Sequence, residues 1–217
     1  MKEDRLSIVY DMLNNHEDTK SELVSYNIDP SSKRQCALNV KLSKDSPLLH
    51  ELESQGFKAI YPAELADEEI ARMNEDQRFM YELNSQHALL VDSKEPHLSL
   101  NLAGQIASHV YSNSGAGVLD GLNTKDNTLT FFPGCSSRFK EGTHKNLQAT
   151  LTALGYKADL DKDSVTVQSD IPYPSVNKSK FAKIFEMAKD KIHSVAEKLG
   201  LNKNKEAKVK QDNEMSI

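Results

Sequence analysis

Cysteine is scarce in this chain, whose 217 residues hold only Cys36 and Cys135. The two lie far apart and show neither the close pairing of a zinc knuckle nor a disulfide framework, so a reducing compartment is expected. Long apolar runs are missing as well. The opening MKEDRLSIVYDMLNNHEDTK has charge on both sides of a short apolar stretch and lacks the continuous core of a cleaved signal peptide. No later segment reaches membrane-spanning length. A soluble cytoplasmic protein is expected, and export by a route that needs no cleaved signal is compatible with this. Hydrophobic residues make up 38% of the chain, on the polar side of ordinary globular composition but enough for one sizeable core.

Positive charge is thin outside one region. The formal net charge is -5, yet ten lysines face only Glu186, Asp190, Glu197 and Glu206 between Asn177 and Gln211, so the part before it is distinctly acidic. Those lysines come without an arginine cluster, and no aromatics interleave the final KNKEAKVKQ. The segment therefore carries no strong nucleic-acid signal and reads first as a solvated helix face and tail. Such a charge split can also steer a protein partner.

What is present is a repeated grammar. RQCALNVKL alternates so that Cys36, Leu38, Val40 and Leu42 are expected on one face of a strand. SPLLHELESQG follows, with Ser46 as cap, Pro47 at the first helical position, a Leu48, Leu49, Leu52 stripe and Gly56 as the stop. FKAIY resumes as a strand. Later, NTLTFFPGCSSRFKEGTHKNLQATLTALGYKADL runs in the same order, with Leu129 to Phe132 as a strand, Thr143 as cap, Leu147, Leu151 and Leu154 as the stripe and Gly155 as the stop. QGFKAI and LGYKADL share glycine, aromatic, lysine and alanine in sequence. DKDSVTVQS then predicts a hairpin into a strand over Val165 to Gln168.

Residues 34–61 and 128–169 are therefore expected to contribute two strand-helix-strand units to one antiparallel or mixed sheet, a ferredoxin-like α+β arrangement. Residues 66–111 read as a mainly helical insertion. A helix over about Asp67 to Leu83 would use Ile70, Met73, Met80 and Leu83, HALLVD would supply an edge or added strand, and a second helix would bury Leu100, Ala103, Ile106, Ala107 and Val110. GAGVLDGLNTKDN reads as a loop. RLSIVYDMLNN is a short docking helix, and Lys180 to Leu199 is strongly amphipathic through Phe181, Ile184, Phe185, Ala188, Ile192 and Val195. One domain over 1–200 with a flexible tail over 201–217 is the expected organisation.

Chemistry concentrates in FFPGCSSRFKEGTHKN. A helix starting at Ser136 would put Cys135 against its positive end, whereas a helix starting at Thr143 would not. The stretch Phe131 to about Gly155 resembles the opening of the cysteine-rich segment of heterodisulfide-reductase-like proteins. That family's further cysteines, including a downstream CCG run, are missing here, so its iron-sulfur chemistry is not implied. A tyrosine-phosphatase loop needs five residues between cysteine and arginine, and here Arg138 follows after two.

HLSL at His97 is similar to one half of the paired motif of two-histidine phosphoesterases, but no second half is present. The histidines lack zinc spacing, DLDKD lacks the calcium-loop pattern, and GAG lacks a nucleotide fingerprint, so no metal or cofactor is expected. The leading expectation is a non-catalytic protein-binding or regulatory protein with an unidentified protein partner. The Asn-, Lys- and Ser-rich composition fits a bacterial protein acting in another cell. The alternative is a cysteine-dependent hydrolase or transferase in which Cys135 attacks, His144, or a converging His97 or His109, acts as base and then acid, and backbone N-H groups near Ser136 and Ser137 stabilise negative charge.

Overall fold

A computed structural model describes residues 4–15, 23–29, 34–115 and 118–173. The amphipathic segment over 180–199 and the tail over 201–217 lie outside the described residues. The chain opens with helix α1 (Arg5–Asn15), strands β1 (Leu23–Ile28) and β2 (Gln35–Lys41), helix α2 (Pro47–Ser54) and strand β3 (Phe57–Ile60). Helices α3 (Asp67–Ala71) and α4 (Glu75–Ser85) then precede strand β4 (His87–Asp92). The second half is helix α5 (Leu100–Val110), strands β5 (Val118–Asn123) and β6 (Thr128–Pro133), helix α6 (Thr143–Leu154) and strands β7 (Lys157–Asp161) and β8 (Ser164–Gln168).

The two strand-helix-strand units are present, but they do not share a sheet. They build two four-stranded antiparallel sheets, β1-β2-β4-β3 and β5-β6-β8-β7. Each unit is preceded by a strand that pairs with its first strand and followed by one that slots between its two strands, so each closes a sheet by itself. The single ferredoxin-like sheet is thus replaced by two sheets with the same order, each introduced by its own helix. The second sheet has the simpler connection: β7 and β8 are joined by a tight hairpin in which Lys162 takes a positive φ of 47°. In the first sheet, α3 and α4 fill the corresponding connection.

Both units share the same stop. Gly56 and Gly155 have φ of 89° and 106°, a conformation that residues with a Cβ rarely adopt, and each hands the chain to a buried aromatic, Phe57 or Tyr156. α6 begins at Thr143, with Gly142 rather than Thr143 in the N-cap position. The stretch Ser136–Arg138 is a separate short 3-10 turn, so Cys135 does not sit at the N-terminus of α6.

Three further expectations change. Cys36 does not share a face with Leu38, Val40 and Leu42: it joins the core against α5, while those three pack with α1 and α2. The β1-β2 register slips between Asn27 and Ile28, opposite Gln35 to Ala37, and an extra residue in a strand breaks its alternation. HALLVD is central rather than an edge, which is why five successive residues, Ala88 to Asp92, are buried. The supposed loop GAGVLDGLN contains the edge strand β5, whose exposure on both faces leaves no alternation to read.

The layers run helix, sheet, helix, sheet. α1 and α2 bury Leu6, Leu13, Leu49 and Leu52 on one face of the first sheet. Its other face, through Ala37, Leu89 and Val91, meets the same cluster that holds α5, α6 and the inner face of the second sheet, including Phe131, Val165 and Val167. α5 is therefore central rather than a decoration. Leu102, Ala103, Ile106 and Ala107 on it are fully buried. Truncation of Ile106→Ala is expected to cost about 2–5 kcal/mol in urea unfolding, because the cavity would open within the cluster shared by both sheets. Met80→Ala on α4 should change stability by less than about 0.5 kcal/mol.

Candidate functional site

The cysteine and histidines singled out in the sequence divide into three places. Cys135 follows β6 and is half-buried, packed at the margin of the central core. His144 lies in the first turn of α6, where its Nδ1 meets the hydroxyl of buried Tyr111 at 2.5 Å. Burial first, and the nearness of Cys135 second, push the Tyr111 hydroxyl well above its ordinary range. The Tyr111 hydroxyl and the His144 Nδ1 share that hydrogen bond, the imidazole tautomer setting which of them donates. The Tyr111 ring also stands edge-on to Phe139, centroids 5.2 Å apart.

Tyr111 was not singled out by the sequence, because HVYS ends an ordinary helical stripe and gives no sign of a partner on α6. It hydrogen-bonds His144 and is near enough to Cys135 to feel its charge. Among the described residues, the Cys135 sulfur makes no hydrogen bond to a histidine, and the His144 Nδ1 is already engaged. Nearby, Arg138 donates to the Ser114 carbonyl at 3.1 Å and stands 3.6 Å from Glu69, tying the turn after Cys135 to the turn after α5 and to α3.

His97 and His109 are elsewhere. His97 stands 3.3 Å from the Asp29 carboxylate, both side chains being buried. His109 directs Nε2 to the His87 carbonyl at 3.1 Å, across to the start of β4. Cys36 is equally committed, its sulfur donating to the Asn27 carbonyl at 3.2 Å. Burial, with Asp29 adding to it, pushes that thiol up to about 12. Among the described residues, no group of three His, Cys, Asp or Glu side chains is arranged to hold a metal ion.

The other departure from expectation is α4. In place of one helix from Asp67 to Leu83 there are two, broken at Arg72 to Asn74. Asn74 and Gln77 form a reciprocal cap at 2.8 and 3.0 Å, which starts a new helix. The restart alters which side faces inward. α4 has no buried residue, and Phe79 and Met80 are 64% and 58% exposed.

Polar bonds secure it instead. Asn84 donates to Asn113 at 2.6 Å and to Ser112 at 3.1 Å, and the Tyr81 hydroxyl accepts from the Leu65 N-H at 3.4 Å. A cleft of about 710 Å³ opens between this helix, α3 and the 112–115 turn, with Met73, Met80 and Tyr81 among its lining residues. From Asp67 to Ser85 the chain carries six carboxylates against Arg72 and Arg78. The result is an apolar patch in an acidic setting.

Burial depresses both His109 and His144 below the ordinary histidine value, with Asp163 partly opposing the effect at His144. Below pH about 6.5 the unfolded chain then binds more protons than the folded one, so this contribution to stability is present above that pH and is lost as pH falls. Urea midpoints should fall accordingly on acidification. With the Tyr111 hydroxyl as donor, Tyr111→Phe should raise the His144 pKa by up to about one unit in NMR titrations, because that hydrogen bond favours the neutral ring. An unchanged titration would remove Tyr111 as its donor.

Comparison with protein-family models, curated proteins and solved structures found no match.

Proposed function

We propose that this chain is a non-catalytic protein-binding or regulatory protein whose α4 surface receives a partner. The observation that supports this reading is the exposure of Phe79 and Met80 on a capped, polar-anchored helix none of whose residues is fully buried. Large apolar side chains side by side in water are costly unless another surface covers them, and aromatic and methionine side chains are favoured at interface centres. The surrounding carboxylates favour a partner face that combines apolar and basic residues.

The test compares affinity capture by the full chain with capture by its Phe79→Ser/Met80→Ser variant, with unfolding curves for both. A reproducible partner should be retained by the parent chain and lost from the variant, at unchanged stability. Equal recovery by both would remove α4 from the interface.

The second reading is a cysteine-dependent hydrolase or transferase, supported by the nearness of Cys135 and His144 to Tyr111. In it Cys135 attacks an acyl carbon while His144 takes the thiol proton at Nε2, its Nδ1–H donating to the Tyr111 oxygen, and returns that proton to the leaving group as its bond to the acyl carbon breaks. Alkylation rates of Cys135 from pH 5 to 9 distinguish the two readings. The enzymatic one expects a depressed thiol pKa that rises in His144→Gln. An ordinary thiol profile, insensitive to that substitution, would count against it.

A further inference from the structure

Helices α5 and α6 cover the inner face of the second sheet but leave its β5 margin open. β5 ends the sheet, pairs only with β6 among the described residues, and is exposed from Leu119 to Asn123. Between it and α5 lies a cleft of about 520 Å³. Leu129 and Phe131 of β6 form its floor. Val118, Asp120 and Leu122, alternate residues that share one face of β5, form one wall, and α5 forms the other through Gly104 and Ser108, one turn apart.

Three properties of this cleft bear on what can occupy it. An edge strand turns the N-H and C=O of every second residue outward without a partner, which is a template for another extended chain. The cleft runs beside that edge, so a segment paired with β5 would direct alternate side chains over the apolar floor. Among the described residues, Asp120 is the only charged one lining it. In addition, Asn101 lines the helix wall, and its side-chain nitrogen is buried without a hydrogen-bond partner among the described residues, a donor that a backbone carbonyl would satisfy.

We infer that the cleft between α5 and β5 binds an extended peptide segment of a protein partner, added as a strand to the β5 edge, with a lysine or arginine set against Asp120. Backbone pairing supplies the binding and the cleft supplies the selection, as in strand addition generally. This surface lies on a different sheet margin from α4, so its failure and that of the α4 reading are separately observable.

The probe is a fluorescein-labelled octapeptide of alternating valine and threonine with one central lysine. It is titrated by fluorescence polarisation against the full chain at low salt. Comparison peptides replace the lysine with glutamate or carry backbone N-methyl groups at alternate residues in either register. The lysine peptide should bind roughly tenfold more tightly than the glutamate peptide, and Asp120→Lys should abolish or invert that preference. One N-methylated register should lose binding. Ser108→Phe, at an exposed helix position that needs no refolding of the core, should weaken the parent peptide by about tenfold or more through filling the cleft.

Equal binding of parent and both methylated peptides, unchanged charge preference in Asp120→Lys, or no binding of any probe would each overturn the proposal. So would β5 amides already protected from hydrogen exchange in the free chain, which would mean that another segment holds the edge. Concentration-dependent self-association abolished by Leu122→Asp would assign the edge to a second copy instead.

Discussion

The burial of α5 on two sides is the constraint from which the rest of the architecture follows. A helix with a single apolar stripe can serve one sheet, whereas α5 contributes Leu102, Ala103, Ile106 and Ala107 to a cluster that reaches both. Its polar groups are tied to match. Near its start, the Tyr156 hydroxyl donates to the Ser99 carbonyl at 2.7 Å and the Ser99 side chain caps the Leu102 N-H at 3.2 Å. Further along, Cys36 reaches Gln105 and His109 reaches the His87 carbonyl, both toward the first sheet. Polar groups removed from water this way must find such partners, and here the partners come from opposite halves of the chain.

This arrangement explains where unused surface remains. The first sheet is covered on both faces, and its inserted helix α4 is left outside the apolar cores, attached by side-chain amides and one tyrosine. The second sheet has helices on its inner face, while its other face carries polar pairs such as Thr130 and Thr166, whose hydroxyls meet at 2.9 Å. Leu119 and Phe132 pair across β5 and β6 on that other face and remain 64% and 46% exposed. The surfaces with chemical capacity to recognise a partner are therefore those that the α5-centred packing does not use. Cys135, Tyr111 and His144 occupy the margin of the packed centre, where burial is the main cause that raises the Tyr111 hydroxyl and depresses the His144 ring.

Much of the fold was legible before any coordinates. The leucine stripes of α2 and α6, the two glycine stops and the aromatic after each, the hairpin at Lys162 and the buried side of α5 all followed from local periodicity and backbone preference. The candidate site was less legible. Cys135 and His144 were named, but Tyr111 follows directly after α5, more than twenty residues away in sequence. His97 and His109 carried the same local promise as His144 and proved to be bound to Asp29 and to a backbone carbonyl.

By itself, the sequence determined the elements whose burial shows as a period: the helical stripes, the alternating strands and the places where a left-handed residue had to end a helix. Tertiary structure alone decided that the two units would close two sheets rather than merge into one, because strand pairing depends on which later segment fills the gap between β2 and β3 or between β6 and β7. It also decided that Cys36 would turn toward α5 at a register slip, that HALLVD would be central, and that Phe79 and Met80 would face solvent. The physical reason is common to these cases. Local patterns report how much apolar surface a segment must hide, while the choice of the surface that hides it belongs to contacts between residues far apart in the chain.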